Sequence, residues 1–329
     1  MINLNQPIII NNRNLRKKYS TIKKHFEECK KDALSFPQID NVVKDRKFVN
    51  FIRCPSKHSD NKNNYKDLFV KWGFIHSECR NCRHVFVRNQ LKGEILKKLY
   101  DKSKADILQR KRRKNNIYNN YWNQVYLKYL NFLINKKKKI KLLDVGCGDG
   151  AFLKLIKLNF ENVSLYGSEF TYHVYKDLSR LLATNLFYKQ ELSEIKKKIN
   201  FKFDLITFWG VLEHLIEPLT ALKNAEKILE TNGKILILVP NYNSKARKIL
   251  GASTPTLNPR EHLHFFSQKS MEIIANKSNL KIFKFSQELP IIDLMYPYIK
   301  YSKKLLADIM KKKECYYHIY ILIKKIKNK

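Results

Sequence analysis

The segment Leu142-Leu143-Asp144-Val145-Gly146-Cys147-Gly148-Asp149-Gly150-Ala151-Phe152 constrains this chain more than any other. An apolar run ends in an acid, three glycines alternate with other residues, and an apolar periodic stretch begins. That pattern reads as a strand, a tight turn and a helix start. Glycine lets the main chain take dihedrals that a side chain forbids and lets it approach a ligand closely. Several nucleotide-binding folds use such a turn, so the spacing has to discriminate among them. A dinucleotide site spaces its glycines as GxGxxG, and Ala151 stands where its last glycine would be. A P-loop needs Gly-Lys-Ser/Thr, which is absent.

From residue 140 onward, apolar strand-like runs alternate with helical periodicity, the pattern of a parallel sheet covered on both faces. Strands are expected at 140–145, 164–167, 186–188, 203–208 and 234–239, the last entered through a turn at Thr231-Asn232-Gly233. Helices are expected at 219–229 and at 267–278, where Ser267 is a candidate N-cap. Leu280 to Ser286 and His318 to Lys324 suit a closing antiparallel pair, with residues 291–314 as a helical insertion. Glu169 lies at the end of the second strand, about 20 residues beyond the glycines, where a carboxylate can accept from both hydroxyls of a ribose.

Asp144, two residues before the first glycine, together with the immediate third glycine, resembles motif I of the class I S-adenosylmethionine-dependent methyltransferases. Phe208-Trp209-Gly210-Val211-Leu212-Glu213-His214-Leu215 resembles the VLEH segment of a subgroup that includes ubiquinone-biosynthesis O-methyltransferases and enzymes of bacterial surface-glycan clusters. Val239-Pro240-Asn241 and Arg260-Glu261-His262-Leu263-His264-Phe265-Phe266-Ser267 are similar to further elements of that subgroup. The resemblance covers roughly residues 140–325 and implies a Rossmann-like seven-stranded α/β sheet with helices on both faces. It implies S-adenosylmethionine as cofactor, held by Asp144, Gly146, Gly148, Gly150, Glu169, Trp209 and Gly210. In this reading Asp144 accepts from the cofactor ammonium, directly or through water. A hydroxyl acceptor needs its proton removed, and histidine suits that near neutral pH. His214 is the first candidate, His264 the second and His262 the third; in extended backbone the last two would share a face. Trp209-Gly210 carries no acid or Asn, and no Asn/Asp-Pro-Pro-Tyr/Phe motif or cysteine pair suits methylation of a nucleic-acid base.

The remainder divides into an N-terminal helical segment (1–50), a module at 51–90, a helical linker (91–135) and the methyltransferase domain (136–329). Cys54-x3-His58 and Cys79-x2-Cys82 supply four ligands from two short knuckles, a composition that suits structural zinc. His76 and His84 are alternative ligands. Four protein ligands leave no open position, so this metal is expected to be structural.

The formal net charge of +36 invites a nucleic-acid reading. Abundant Lys, Asn, Ile, Tyr and Phe point instead to composition bias with solvated surface lysines. An O-methyltransferase acting on a small molecule or on a sugar of a surface-glycan precursor is the leading expectation. An RNA methyltransferase and a non-catalytic cofactor-binding scaffold are the alternatives. No apolar run reaches the ~18–20 residues of a membrane helix, although peripheral contact with an anionic membrane remains compatible with the charge. Six scattered cysteines argue against a disulfide framework, and the expected compartment is the cytoplasm.

Overall fold

The computed structural model describes residues 4–5, 7–8, 19–57, 64–113, 116–171, 174–182, 185–289 and 302–325. After α1 (Tyr19–Leu34) come five short strands: β1 (Val49–Phe51), β2 (Tyr65–Lys71), β3 (Phe74–Cys79), β4 (Val85–Val87) and β5 (Asn89–Leu91). The β2–β3 hairpin turns on Trp72-Gly73, both with positive φ (54° and 86°), the geometry that lets two residues connect twisted antiparallel strands. A Cβ on Gly73 would lie 2.9 Å from the side chains of Gln38 and Val43, so the turn also admits close packing. Three helices follow: α2 (Gly93–Lys102), α3 (Lys104–Arg113) and α4 (Asn116–Leu133).

The second half alternates as its periodicity predicts. It contains β6 (Ile140–Val145), α5 (Ala151–Asn159), β7 (Val163–Glu169), α6 (Tyr175–Leu182), β8 (Leu186–Tyr188), α7 (Leu192–Lys198), β9 (Phe203–Trp209), α8 (Pro218–Ile228) and β10 (Leu229–Pro240). Then come α9 (Lys245–Leu250), β11 (His264–Phe265), α10 (Gln268–Lys277), β12 (Leu280–Glu288), α11 (Lys303–Lys311) and β13 (Tyr317–Lys324). Ser267 caps α10 by accepting from the Ser270 N–H. Of the expected insertion at 291–314, α11 is seen and residues 290–301 lie outside the described set.

Seven strands form one mixed sheet in the order β12-β13-β10-β9-β6-β7-β8. Strands β6 to β10 run parallel, while β13 is antiparallel to β10 and to β12. Adjacent apolar residues in the central strands serve opposite faces, because side chains alternate along a strand. Leu143, Ile206 and Ile237 pack with α7, α8 and α10, whereas Leu142, Leu205 and Leu236 pack with α4, α5 and α6. Burying each such side chain stabilises the fold by about 1.5–3 kcal/mol. The turn expected at Thr231-Asn232-Gly233 is instead an irregularity within β10. Leu229 pairs with Phe203 and Lys234 with Leu205, so the extra residues bulge out of the ladder. No helix of the described residues is long and apolar enough to cross a membrane.

A second sheet, in the order β11-β4-β3-β2, joins the two halves of the chain. His264 pairs with Phe86 and Phe265 with Val85, and Phe266 bridges in turn to Asn241 at the end of β10. Just upstream, the fully buried Arg260 reaches the N-terminal helices. Its Nη2 pairs with Asp106 on α3, its Nε lies 3.2 Å from Asp32 on α1, and its guanidinium sits over the Tyr100 ring of α2. Removing one partner of a buried ion pair leaves an uncompensated charge. Asp106→Ala is therefore expected to lower unfolding free energy by about 3–5 kcal/mol, read by urea denaturation. A loss below about 1 kcal/mol would mean that Asp32 and Glu261 alone satisfy Arg260.

Candidate active site

Strand β6 lies where the strand order reverses, flanked by β7 and β9, and ligands of such sheets bind beyond the carboxyl ends of the strands at that point. Asp144, near the end of β6, is buried and accepts a 2.6 Å hydrogen bond from the Thr207 hydroxyl on β9. The chain then enters the glycine turn. Gly146 has φ +65°, and a Cβ there would lie 2.9 Å from Val211, so the turn packs directly on the segment that follows β9. Glu169, closing β7, folds over the same turn. One oxygen accepts from the Gly148 N–H (2.7 Å), and the other from the N–H groups of Phe170 and Thr171 (2.8 and 2.7 Å). Gly150 starts α5.

Trp209 ends β9 and packs among Tyr126 and Tyr129 of α4 and Phe152 of α5, with ring centroids 4.8, 6.3 and 5.4 Å away. Its indole N–H is buried with no hydrogen-bond partner among the described residues. The Gly210 N–H donates to Leu238 O (3.0 Å), which fixes the exit of the strand.

The next residues make a short 3₁₀ turn, Leu212–His214. Glu213 is buried, and burial alone pushes its carboxyl up to about 8. One of its oxygens has no hydrogen-bond partner among the described residues, and the other lies 3.9 Å from His214 Nε2. His214 Nδ1 meets the Tyr100 hydroxyl at 3.3 Å, and that hydroxyl donates to Glu261 O. The His262 ring stands edge-on to His214, centroids 4.7 Å apart, and its Nδ1 lies 2.8 Å from Thr256 O. Ligand atoms of Glu213, His214 and His262 all fall within 4.8 Å of one another.

Of the three candidate histidines the structure thus brings two together. His264 lies in β11, fully buried, with Nδ1 3.2 Å from His84 Nε2, and burial pulls its pKa down to about 4. The alternation expected to put His262 and His264 on one face is broken by a turn. The N–H groups of Glu261 and His262 both donate to Asn258 O, so extended backbone begins only at His264. Tyr100 and Thr256, which orient the two rings, carried no signal in the sequence. Tyr100 is 114 residues from His214 and sits in an ordinary helical pattern.

In the N-terminal sheet, Cys54, Cys79 and Cys82 converge, with ligand atoms within 4.8 Å of one another and the Cys54 and Cys82 sulfurs 3.4 Å apart. All three are buried free thiols. His58 lies outside the described residues. Neither alternative joins the trio: His84 is turned to His264, and His76 stacks on Phe69.

Residues 118–284 match the model of a family described as "Methyltransferase domain". A ubiquinone biosynthesis O-methyltransferase of Coxiella burnetii is 33% identical over 125 residues, covering 38% of this chain and 53% of the relative. The chain thus spans about half the length of such relatives. An uncharacterized protein of Methanocaldococcus jannaschii is 28% identical over 208 residues, covering 59% of this chain and 84% of the relative. A crystal structure of a SAM-dependent methyltransferase from Archaeoglobus fulgidus is similar at 18% identity and a TM-score of 0.47, covering 67% of this chain and 98% of that one. With the family model spanning half of its length, and with the glycine turn at the reversal point of a seven-stranded mixed sheet, the chain belongs to the class I S-adenosylmethionine-dependent methyltransferases.

Proposed function

We propose that this protein transfers a methyl group from S-adenosylmethionine to a hydroxyl of a small molecule or of a sugar on a surface-glycan precursor. The observation that carries the reading is the convergence of the glycine turn, Glu169 and the Trp209–His214 segment at the carboxyl ends of β6, β7 and β9. The names of the Coxiella relatives specify O-methylation by those proteins, which supports a hydroxyl acceptor here.

The donor set fits the cofactor. Asp144 is a buried carboxylate with a hydroxyl donor and no cationic side chain paired to it among the described residues, so an ammonium group suits it. Glu169 already accepts three backbone hydrogen bonds, and a carboxylate has about four such sites, leaving room for a ribose hydroxyl. The Trp209 N–H, with no hydrogen-bond partner among the described residues, offers one more donor at the same end of the sheet. When bound, S-adenosylmethionine supplies an electrophilic methyl carbon, which joins the acceptor oxygen as the carbon–sulfur electron pair returns to sulfur. The protein's part is to align the acceptor, exclude water and handle the hydroxyl proton. We assign that last role to His214, held by Tyr100, with His262 beside it. His264, sealed in the second sheet, is assigned a structural role.

We also propose that Cys54, Cys79 and Cys82 bind structural zinc, with His58 as fourth ligand. Three buried thiols with no disulfide between them are the donor chemistry that zinc prefers. Purified protein is expected to contain one zinc per chain by elemental analysis, and Cys79→Ser is expected to lose it together with thermal stability. A metal-free protein with unchanged stability would refute the assignment.

Calorimetric titration with S-adenosylmethionine should show one saturable site, weakened by Gly146→Ala because the new Cβ meets Val211. With a panel of phenols and sugars and a methyl-labelled cofactor, His214→Ala should lower kcat by about 10²- to 10⁴-fold while leaving cofactor affinity largely intact. Absence of any cofactor binding would sink the enzyme reading.

Burial raises the Asp144 carboxyl to about 8, against an ordinary value of 3.8. Between those values the folded state holds a proton that the unfolded chain releases, so this group's stabilising contribution falls as pH rises from about 4 to about 8. The stability of the cofactor-free wild type relative to Asp144→Asn is expected to decline across that window, measured by denaturant titration at several pH values. A flat difference would show that Asp144 is ionised throughout.

A further inference from the structure

We propose that His84 is a positioning residue for the acceptor side of the cleft: through its hydrogen bond to His264 it holds the turn that carries Glu213 and His214 against the N-terminal sheet. This role rests on the methyltransferase reading of the cleft and adds to it a residue from the N-terminal half of the chain.

His84 stands at the exit of the tight turn that carries Cys79 and Cys82. The Arg83 N–H donates to Cys79 O (2.8 Å), the Cys79 N–H donates to His84 O (2.9 Å), and Arg83 takes a positive φ of 59°. Strand β4 leaves this turn directly and pairs with β11, Phe86 opposite His264. Backbone bonds then continue toward the cleft. The Val87 N–H donates to Leu263 O (2.9 Å), and the Leu263 N–H donates to Glu213 O (2.8 Å). Leu263 thus ties β4 to the residue beside His214.

Next to these bonds the His84 and His264 rings meet, with Nε2 of the first 3.2 Å from Nδ1 of the second. Both side chains are buried. Burial keeps His264 neutral near pH 7, so one of its nitrogens carries a proton and the other a lone pair. The backbone carbonyls of Leu215 and Ile216 lie beside the His264 ring and favour a proton on it. Its Nε2 is buried with no other hydrogen-bond partner among the described residues. A proton on Nε2, toward those carbonyls, leaves Nδ1 free to accept from the His84 Nε2–H. The turn is then held at Glu213 by Leu263 and at Leu215 and Ile216 by His264, with His214 between them.

Packing alone does not call for two imidazoles here. Phe86 and Phe266 surround the pair, with ring centroids 6.2 and 4.9 Å from His84. In such surroundings an apolar pair of similar size costs less to bury, because each imidazole gives up its water. What a buried hydrogen bond adds is one defined arrangement. Other N-terminal residues grip the same turn. The Tyr100 hydroxyl lies 3.3 Å from His214 Nδ1, and a Cβ on Gly93 would lie 3.3 Å from Ile216 Cδ1. Such precision matters to group transfer, where a misplacement of about 1 Å can cost about 10²-fold in rate.

The test compares full-length wild type with two variants. His84→Phe keeps an aromatic ring and loses the hydrogen bond, whereas His84→Gln places an amide N–H where Nε2–H stood. Hydrogen exchange read by mass spectrometry is expected to be at least about 10-fold faster at amides 212–216 in His84→Phe and near wild type in His84→Gln. Exchange at Leu142 to Gly150 should be unchanged in both. In spectra of ¹⁵N-histidine-labelled protein, the His214 ring signals should move in His84→Phe and return in His84→Gln, with His25 and His318 as fixed references. Equal exchange in wild type and His84→Phe would overturn the role. Equal loosening in both variants would overturn it too, since ring packing would then be what holds the turn. The wild-type spectrum supplies a reading that needs no variant to fold: His264 is expected to carry its proton on Nε2, and a proton on Nδ1 facing His84 would overturn the pairing. S-Adenosylmethionine affinity, measured alongside, should be the same in all three proteins. Its absence in wild type would remove the methyltransferase reading and the functional role with it, whereas the exchange results bear on the His84 link alone, so the two failures are distinguishable.

Discussion

The buried guanidinium of Arg260 organises the contact between the two halves of the chain. It is fully enclosed, and it is matched by Asp106 and Asp32 from helices more than 150 residues away in sequence. A charge so placed has one low-energy arrangement, because every alternative leaves a desolvated ion without its partner. Residues 258–266 inherit that constraint. His262 follows Arg260 by two residues, and β11 follows His262 by two, stitched to β4 on one side and continuing into the bridge to Asn241 on the other. The histidine beside the cleft is therefore positioned by a network that lies mostly outside the methyltransferase sheet.

The glycine turn imposes a second constraint of a different kind. Gly146 has positive φ and touches Val211, so the loop after β6 and the loop after β9 pack as one unit. A Cβ at that position would meet the Val211 side chain at 2.9 Å, so that side chain would have to shift. The glycine turn after β6 and the segment after β9 thus meet by van der Waals contact at the sheet's reversal point.

Much of this was legible in the residues. The alternation of Leu142 with Leu143 and of Leu205 with Ile206 announces strands buried on both faces, and a period of two survives any tertiary context. Ser267 announced the start of α10 because an N-cap is a local hydrogen bond between near neighbours. Asp144, Gly146 and Glu169 sit at strand ends, where spacing alone locates them. The Thr231-Asn232-Gly233 turn was misread because turn residues also tolerate a bulge, and the choice between the two is made by pairing with β9. The shared face of His262 and His264 failed for a similar reason: extended backbone cannot be assumed beside Asn258, whose carbonyl gathers two N–H groups into a turn.

The sequence by itself determined the class of fold, the order of its strands along the chain and the residues of the glycine turn, because these follow from local periodicity and local backbone demands. Only the tertiary structure decided that β11 completes a sheet begun at β2, that Tyr100 and Thr256 orient His214 and His262, and that the Glu213 carboxyl is buried with no Lys or Arg paired to it among the described residues. Those facts depend on contacts between segments far apart in the chain. Their energies come from pairing and desolvation, which exist only once the segments have met.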